Sequence, residues 1–160
     1  MNKDALIRQI STQMAQELQT LLQASDQAHQ TATHSESKAE NKYDTRGLEA
    51  AYLAHGLSVR AQALREAQAL FVQWQPKAFA RDEPIGVGAL VTLEDDAGQQ
   101  KRVLLAAQGG GLKGRVAAGE VTVVTPSAPL GKALLGRELD DRVALTIQGR
   151  VTAYWVVDLE

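Results

Sequence analysis

Cysteine is absent from this 160-residue chain, which excludes disulfides, thiol nucleophiles and cysteine-built metal sites. Aromatic residues are scarce. Two Trp, three Tyr and two Phe make up 4% of the chain, too few for an aromatic ligand pocket or a base-stacking platform. No apolar run approaches the roughly 20 residues of a membrane span. The opening stretch MNKDALIRQIS lacks the apolar core of a secretory signal, so a cytoplasmic protein without a membrane partner is expected. Charge of one sign is also missing: 17 basic residues face 19 acidic ones, a net charge of −2. Affinity for nucleic acid through broad phosphate neutralisation is therefore not expected. The 44% hydrophobic and 22% charged fractions are those of a folded globular chain.

Proline is missing before Pro76, and the same stretch has only two glycines, Gly47 and Gly56. After it come all four prolines and most of the glycines and valines. Charge does not separate the halves, since residues 1–77 carry eight basic and eight acidic groups and residues 78–160 carry nine and eleven. What changes is the period of the apolar residues, from about 3.6 to 2. The expected class is α+β, with an antiparallel helical hairpin of coiled-coil type over residues 1–77 and a small antiparallel sheet with one short helix over 78–160.

Ile7, Ile10, Met14, Leu18 and Leu21 recur at spacings of three and four, which predicts a first helix over residues 2–28 with a narrow apolar seam. Residues 25–40 are polar and read as the link. A second helix is expected over 38–72, with Leu57, Ala61, Leu64, Gln68 and Phe71 on its seam and Leu48, Ala51 and Tyr52 nearer its start. Each internal glycine costs about 1 kcal/mol relative to alanine, and Gly56 is placed to kink or break the helix. In the second half, strands are expected over 85–93, 101–107, 120–125, 142–148 and 151–159. Asp95, Asp96, Ala97 and Gly98 form a turn, 108–114 a glycine-rich connection and 129–135 a short helix.

Between the predicted helices lie Glu36, Glu40 and Asp44. On a helix this spacing places three carboxylates on one side, where they repel unless a cation is near, and carboxylate oxygens are the donors a hard cation such as Mg²⁺ prefers. A second reading of the same residues is structural. Ser37 with Glu40, and Thr33 with Glu36, have the spacing of a capping box, and Lys38, Lys42 and Arg46 can neutralise the face. His29, His34 and His55 share no metal-ligand spacing and read as exposed helix residues. The run from Gly109 to Gly114 lacks the Gly-Lys-Ser/Thr ending of a phosphate cradle and reads as a sheet loop. Ser127 stands in no triad context. Trp74 and Trp155 read as packing residues.

The segment VVTPSAPLGKALLGR (residues 123–137) resembles the C-terminal signature of the bacterial Gre transcript-cleavage factors, the GreA/GreB family. The family pattern is a strand, then S-P-[IL]-G-[RK]-A-[LI]-[IL]-G, then D-x-V and a final hairpin. Asp141-Arg142-Val143, residues 151–159 and the opening GVGALV (residues 86–91) are similar to the rest of that pattern, so the resemblance covers 85–160. More weakly, ESKAENKY (residues 36–43) is similar to the family's tip pattern D-x-K-E-N-x-x-Y. Glu36 takes the place of its aspartate, Ala39 that of its glutamate, and Glu40 lies one position further. A one-residue step turns a helical side chain by about 100°.

The resemblance implies a helical hairpin followed by an FKBP-like domain. It implies an accessory factor, not an enzyme, whose C-terminal domain docks on RNA polymerase through Pro129, Leu130, Gly131 and Lys132. The hairpin would enter the secondary channel, and Glu36, Glu40 and Asp44 would support a Mg²⁺ ion only in that complex. The chain would carry no cofactor of its own, would meet DNA and RNA only through the polymerase, and would be a monomer. Two outcomes remain open within this reading, promotion of transcript cleavage and channel binding without cleavage. From other classes come an FKBP-like prolyl isomerase or chaperone, for which residues 78–160 supply only Phe79, Tyr154 and Trp155 as aromatics, and a plain helical adaptor.

Overall fold

The computed structural model describes residues 2–34, 40 and 45–160. Two helices come first, α1 (Lys3–Thr33) and α2 (Arg46–Gln73). Six strands follow, β1 (Leu90–Asp95), β2 (Gln100–Leu105), β3 (Lys113–Val116), β4 (Gly119–Val124), β5 (Arg142–Ile147) and β6 (Arg150–Leu159), with a third helix, α3 (Pro129–Leu134), between β4 and β5. The chain divides into two compact units: Ser11–Gln73, and Met1–Ile10 together with Trp74–Glu160. Periodicity changes at 77/78, whereas contacts join the first ten residues to the sheet.

In the helical unit the expected seam is present on α1, with Met14 and Leu21 buried and Leu18 half-buried. The helix runs five residues beyond the predicted end, with its polar side chains bonded within its own last turns. Thr31 and Thr33 hydroxyls donate to the Gln27 and His29 carbonyls at 3.0 and 3.1 Å, and Gln30 Nε2 donates to Asp26 Oδ2 at 3.1 Å. On α2, Ala54, Ala61, Ala67 and Phe71 are buried. Gly56 neither breaks nor ends this helix, which is continuous to Gln73. Leu48, Ala51 and Tyr52 do not join the seam; all three are exposed. The reason lies opposite, where α1 offers the short side chains Ser25 and Ala28. Ser25 Oγ donates to the Ala54 carbonyl at 3.2 Å and lies 2.8 Å from Ser58 Oγ. An approach close enough for that bond has room for alanine but not for leucine or tyrosine. Arg60 Nη2 and Glu17 Oε1, 3.0 Å apart, bridge the two helices at the rim.

The sheet unit has strand order β3-β4-β2-β1-β6-β5, antiparallel throughout except for the parallel pair β2–β4. Of these, β3 was not foreseen; Lys113 and Gly114 pair with Thr122 and Val121, so the end of the glycine-rich stretch is strand. The predicted turn is formed as its residues require. Asp95 Oδ1 accepts from the Ala97 and Gln99 amides at 2.9 and 2.8 Å, and Gly98 takes a φ of +78°. One sheet face carries the main core, Val91, Leu93, Val103, Leu105, Val143 and Val156, closed by Leu130 and Leu134 of α3.

The opening of α1 packs onto the other face. Asn2 caps the helix, its Oδ1 accepting from the Ala5 amide at 3.0 Å. Leu6 and Ile10 are buried. They land on Gly114, where a Cβ would lie 2.5 Å from Leu6 Cδ1. Lys3 Nζ donates to the Gly88 carbonyl at 3.1 Å and also to the Lys77 carbonyl, and it lies 5.1 Å from the centre of the Phe79 ring. Burial pushes this ammonium below its ordinary pKa, against the opposing pull of Glu160, Asp4 and Glu83.

Met14→Ala should destabilise the helical unit by about 2–5 kcal/mol in chemical denaturation, since the side chain is wholly buried, and Leu18→Ala by clearly less. Equal losses would show the seam register to be wrong. Lys3→Ala should cost about 1–3 kcal/mol by leaving the buried Gly88 carbonyl unmatched. Lys3 also carries a pH signature. Its folded pKa lies below the unfolded value of 10.5, so the unfolded chain binds more protons between the two. Wild-type stability should therefore rise relative to Lys3→Met as pH climbs through that window toward 10.5. A flat difference would show that the ammonium is not desolvated.

Candidate functional site

Two places in the fold correspond to the residues singled out by sequence. The first is the connection between α1 and α2. Glu36 and Asp44 lie outside the described residues. Glu40 is described, exposed and outside either helix, and its Oε1 is 3.9 Å from Arg46 Nη2 at the start of α2. At that distance and exposure the pair contributes at most about 1 kcal/mol. The start of α2 is set by other residues than the proposed capping boxes. Thr45 precedes the first turn, its carbonyl accepting from the Glu49 amide at 2.8 Å and its hydroxyl donating to Glu49 Oε1 at 3.0 Å.

As a cation site this connection is judged by its donor set. Carboxylate is the right chemistry for Mg²⁺, yet a hard cation takes about six oxygen ligands. Glu40 supplies at most two, with a guanidinium as its neighbour. Among the described residues no group of three His, Cys, Asp or Glu side chains is placed to hold a metal ion. The described residues alone therefore do not supply the ligand set of a resident ion; a shared ion completed by a partner's ligands fits the donor type.

The second place is the connection from β4 into α3. The chain leaves β4 at Val124, turns through Thr125–Ala128 and enters α3 with Pro129 in its first turn, where a missing amide costs nothing. Gly131 is the tightest point. A Cβ there would sit 1.9 Å from the Thr125 carbonyl oxygen and 3.2 Å from Pro126 Cα, so only glycine permits the helix to lie on this turn. Thr125 is approached from a second side by Gly110, whose added Cβ would lie 3.1 Å from Thr125 Cγ2. Of the four residues read as partner-binding, Leu130 and Gly131 are buried and serve this packing, whereas Pro129 and Lys132 are exposed. The connection thus presents a proline ring and an ammonium on a fixed backbone.

The sequence reading missed two exposed features. Trp155, taken for a packing residue, lies on the open part of the second sheet face, with the Arg142 guanidinium 5.9 Å above its ring. Its alternation with the core-facing Tyr154 and Val156 was the available signal. Trp74 is half-buried and packs against Gly88. The other feature is a set of large apolar residues on the outside of α2. Their helical spacing was visible, but which of two apolar stripes faces inward depends on α1.

No family model matches the chain, and no curated protein matches it by sequence. Among solved structures it is similar to GreA factor homolog 1 (Gfh1) of Thermus thermophilus, at 18% identity and a TM-score of 0.39 with 94% of each chain covered. It is similar also to Thermus aquaticus Gfh1, at 23% identity and a TM-score of 0.39 with 98% of this chain and 94% of that chain covered. The prokaryotic transcription elongation factor GreA/GreB from Nitrosomonas europaea is 18% identical with a TM-score of 0.39, over 74% of this chain and 94% of that one.

Proposed function

We propose that this chain is a Gre-type transcription factor that binds bacterial RNA polymerase and places its helical hairpin in the secondary channel. The observation that carries this reading is the β4–α3 connection. The residues resembling the Gre signature form one geometric unit, in which Gly131 lets α3 rest on the Thr125 carbonyl while Pro129 and Lys132 stay exposed. Lys132 supplies a charge on a rigid short helix, the kind of group that fixes register on a partner surface. The sheet unit is in this view the docking part, and the connection between α1 and α2 is the part that reaches the catalytic centre.

The chain is an accessory factor in this reading, and its chemistry is that of positioning. Glu36, Glu40 and Asp44 would complete the ligand set of a Mg²⁺ ion held mainly by the polymerase. Such an ion activates a water and stabilises the charge of an in-line displacement. A second reading, channel binding without cleavage, is favoured by the neighbour of Glu40, since Arg46 competes for the carboxylate a cation would need. The prolyl isomerase reading lacks its aromatic wall. Phe79 and Tyr154 pack against the sheet core, and Trp155 lies on the opposite face.

Pull-down with bacterial RNA polymerase tests the docking assignment. Lys132→Glu should weaken binding about tenfold or more, as reversing a charge at a complementary rim does, and leave thermal unfolding unchanged because the side chain is exposed. Undiminished binding would move the docking surface elsewhere. The tip is tested on a backtracked elongation complex. Glu36→Ala combined with Glu40→Ala should abolish cleavage stimulation and leave polymerase binding nearly intact. A wild-type chain that binds without stimulating cleavage would establish the second reading instead.

A further inference from the structure

The two edges of the sheet are finished differently. The edge at β3 is four residues long and guarded. Lys113 and Arg115 are exposed on it, Lys113 Nζ lies 2.7 Å from Glu120 Oε1, and the Gln9 side chain of α1 accepts from the Arg115 amide. Charge and cover of this kind keep an edge from pairing with another chain. The edge at β5 has neither. From Val143 to Ile147 it carries no charged side chain, proline or glycine, and its ladder to β6 runs in register without a bulge.

The two ends of β5 decide which backbone groups the edge offers. Gln148 and Gly149, at φ +51° and +76°, form a two-residue turn between the paired Ile147 and Arg150. At the other end Asp140 takes a φ of +68°. Its amide donates to the Val156 carbonyl at 2.8 Å, and the Val156 amide donates to the Asp141 carbonyl at 2.9 Å. Residues 141, 143, 145 and 147 therefore bond inward to β6, and Arg142, Ala144 and Thr146 turn their N–H and C=O outward. All three are exposed.

Backbone alternation alone would accept any extended chain; the charges at the two ends select. Exposed Glu138 and Asp140 and half-buried Asp141 stand where β5 begins, and exposed Arg150 stands just past its end. By alternation the Asp141 and Arg150 side chains lie on the same side of the sheet, that of Val143. A second β5 laid antiparallel, Ala144 against Ala144, sets Arg142 opposite Thr146. It also sets Asp141 opposite Ile147, whose other neighbour is Arg150. Each acidic end then lies two strands, about 10 Å, from Arg150 of the other copy, a gap that an arginine side chain spans. A strand with acid at both ends would have the same symmetry and repel itself. Arg142 is turned to the opposite side of the sheet, over Trp155.

We propose that β5 is a self-pairing edge, and that its occupant is β5 of a second copy of this chain, antiparallel and centred on Ala144. Two six-stranded sheets then join into one. The seam covers little apolar surface, and exposed ion pairs contribute at most about 1 kcal/mol each. The dimer is therefore weak: monomeric when dilute, paired when concentrated.

Sedimentation equilibrium of the full chain should show the average mass rising from 17.2 kDa toward twice that value between roughly 10 μM and 1 mM. Over the same range amide exchange followed by NMR should slow severalfold at Arg142, Ala144 and Thr146 and change little at Val143 and Leu145. Ala144→Pro removes one outward N–H, a change an edge strand tolerates. It should hold the mass at the monomer value while circular dichroism stays that of the wild type. Thr146→Lys, which sets an ammonium opposite Arg142 of the second copy, should do the same with the backbone intact. Arg150→Glu should weaken association most at low salt. A monomer across the whole range would overturn the proposal. So would association that leaves the three outward amides exchanging freely, that survives Thr146→Lys, or that is indifferent to Arg150→Glu. A monomeric chain whose Thr146→Lys variant loses polymerase binding would overturn it too, by assigning the edge to that partner.

Discussion

The ammonium of Lys3 is the charge around which the sheet unit is arranged. It comes from the first turn of α1 and reaches the carbonyls of Lys77 and Gly88, both in chain that has not yet entered the β1 ladder. The Gly88 oxygen is buried, and leaving it bare would cost about 1–3 kcal/mol, whereas the Lys77 carbonyl lies nearer the surface. The Phe79 ring is near two cations, Lys3 at 5.1 Å and Lys77 at 4.9 Å from its centre. The second of these is taken up by Glu83, whose carboxyl is held below its ordinary pKa by Lys77 and by the Ala80 amide. Desolvating an ammonium is expensive, and the site offsets it with two carbonyls, an aromatic face and three surrounding carboxylates. Once Lys3 is fixed, the helical period carries Leu6 and Ile10 onto the sheet at Gly114, the one residue of β3 without a side chain in their way. Gln9 adds the last tie, its Oε1 accepting from the Arg115 amide at 2.5 Å.

That arrangement explains what the sequence could and could not tell. Local rules served well. Met14, Leu21, Ala61 and Phe71 were placed by spacing, the turn at Asp95–Gly98 by its residue types, and β1, β2, β4, β5, β6 and α3 by alternation and punctuation. The errors share a cause, which is dependence on a distant residue. Nothing in the sequence marks Lys3, whose contact with Gly88 spans 85 residues. The pair Lys113 and Gly114 reads as loop until β4 offers it a ladder. Leu48 and Tyr52 read as seam because they are large and apolar, and only Ser25 on the facing helix decides against them. The end of α1 was misjudged for another reason: residues 29–33 are mostly polar and carry no apolar period, so hydropathy does not register the helix there.

A motif that resembles a known family is easily taken for a binding site, and residues 123–137 show why the two must be kept apart. Gly131 is required by a carbonyl 1.9 Å from where its Cβ would be, Leu130 and Leu134 by the core they close, and Pro129 by the start of α3. These are demands of folding. A polymerase can read only what the fold leaves outside, and within the motif that includes Lys132 and the proline ring. The acids between α1 and α2 are the reverse case. Of these Glu40 is described, exposed and beside Arg46, so no core packing commits its carboxylate. The proposed division between a docking part and a delivering part rests on where side chains are committed to the fold.

The two sides of α2 carry this reasoning to surfaces that no motif marks. A hairpin needs only one apolar stripe per helix, and on α2 that stripe is built largely of alanine so that Ser25 can reach a main-chain carbonyl. The larger residues are left in water, where covering a leucine or valine side chain is worth about 1.5–3 kcal/mol. Scattered singly they would need no explanation. Leu48, Tyr52, Val59 and Leu70, at spacings of four, seven and eleven, share one side of the helix. Close packing of α1 against α2 through small residues has thus set the large apolar residues of α2 on its outer side.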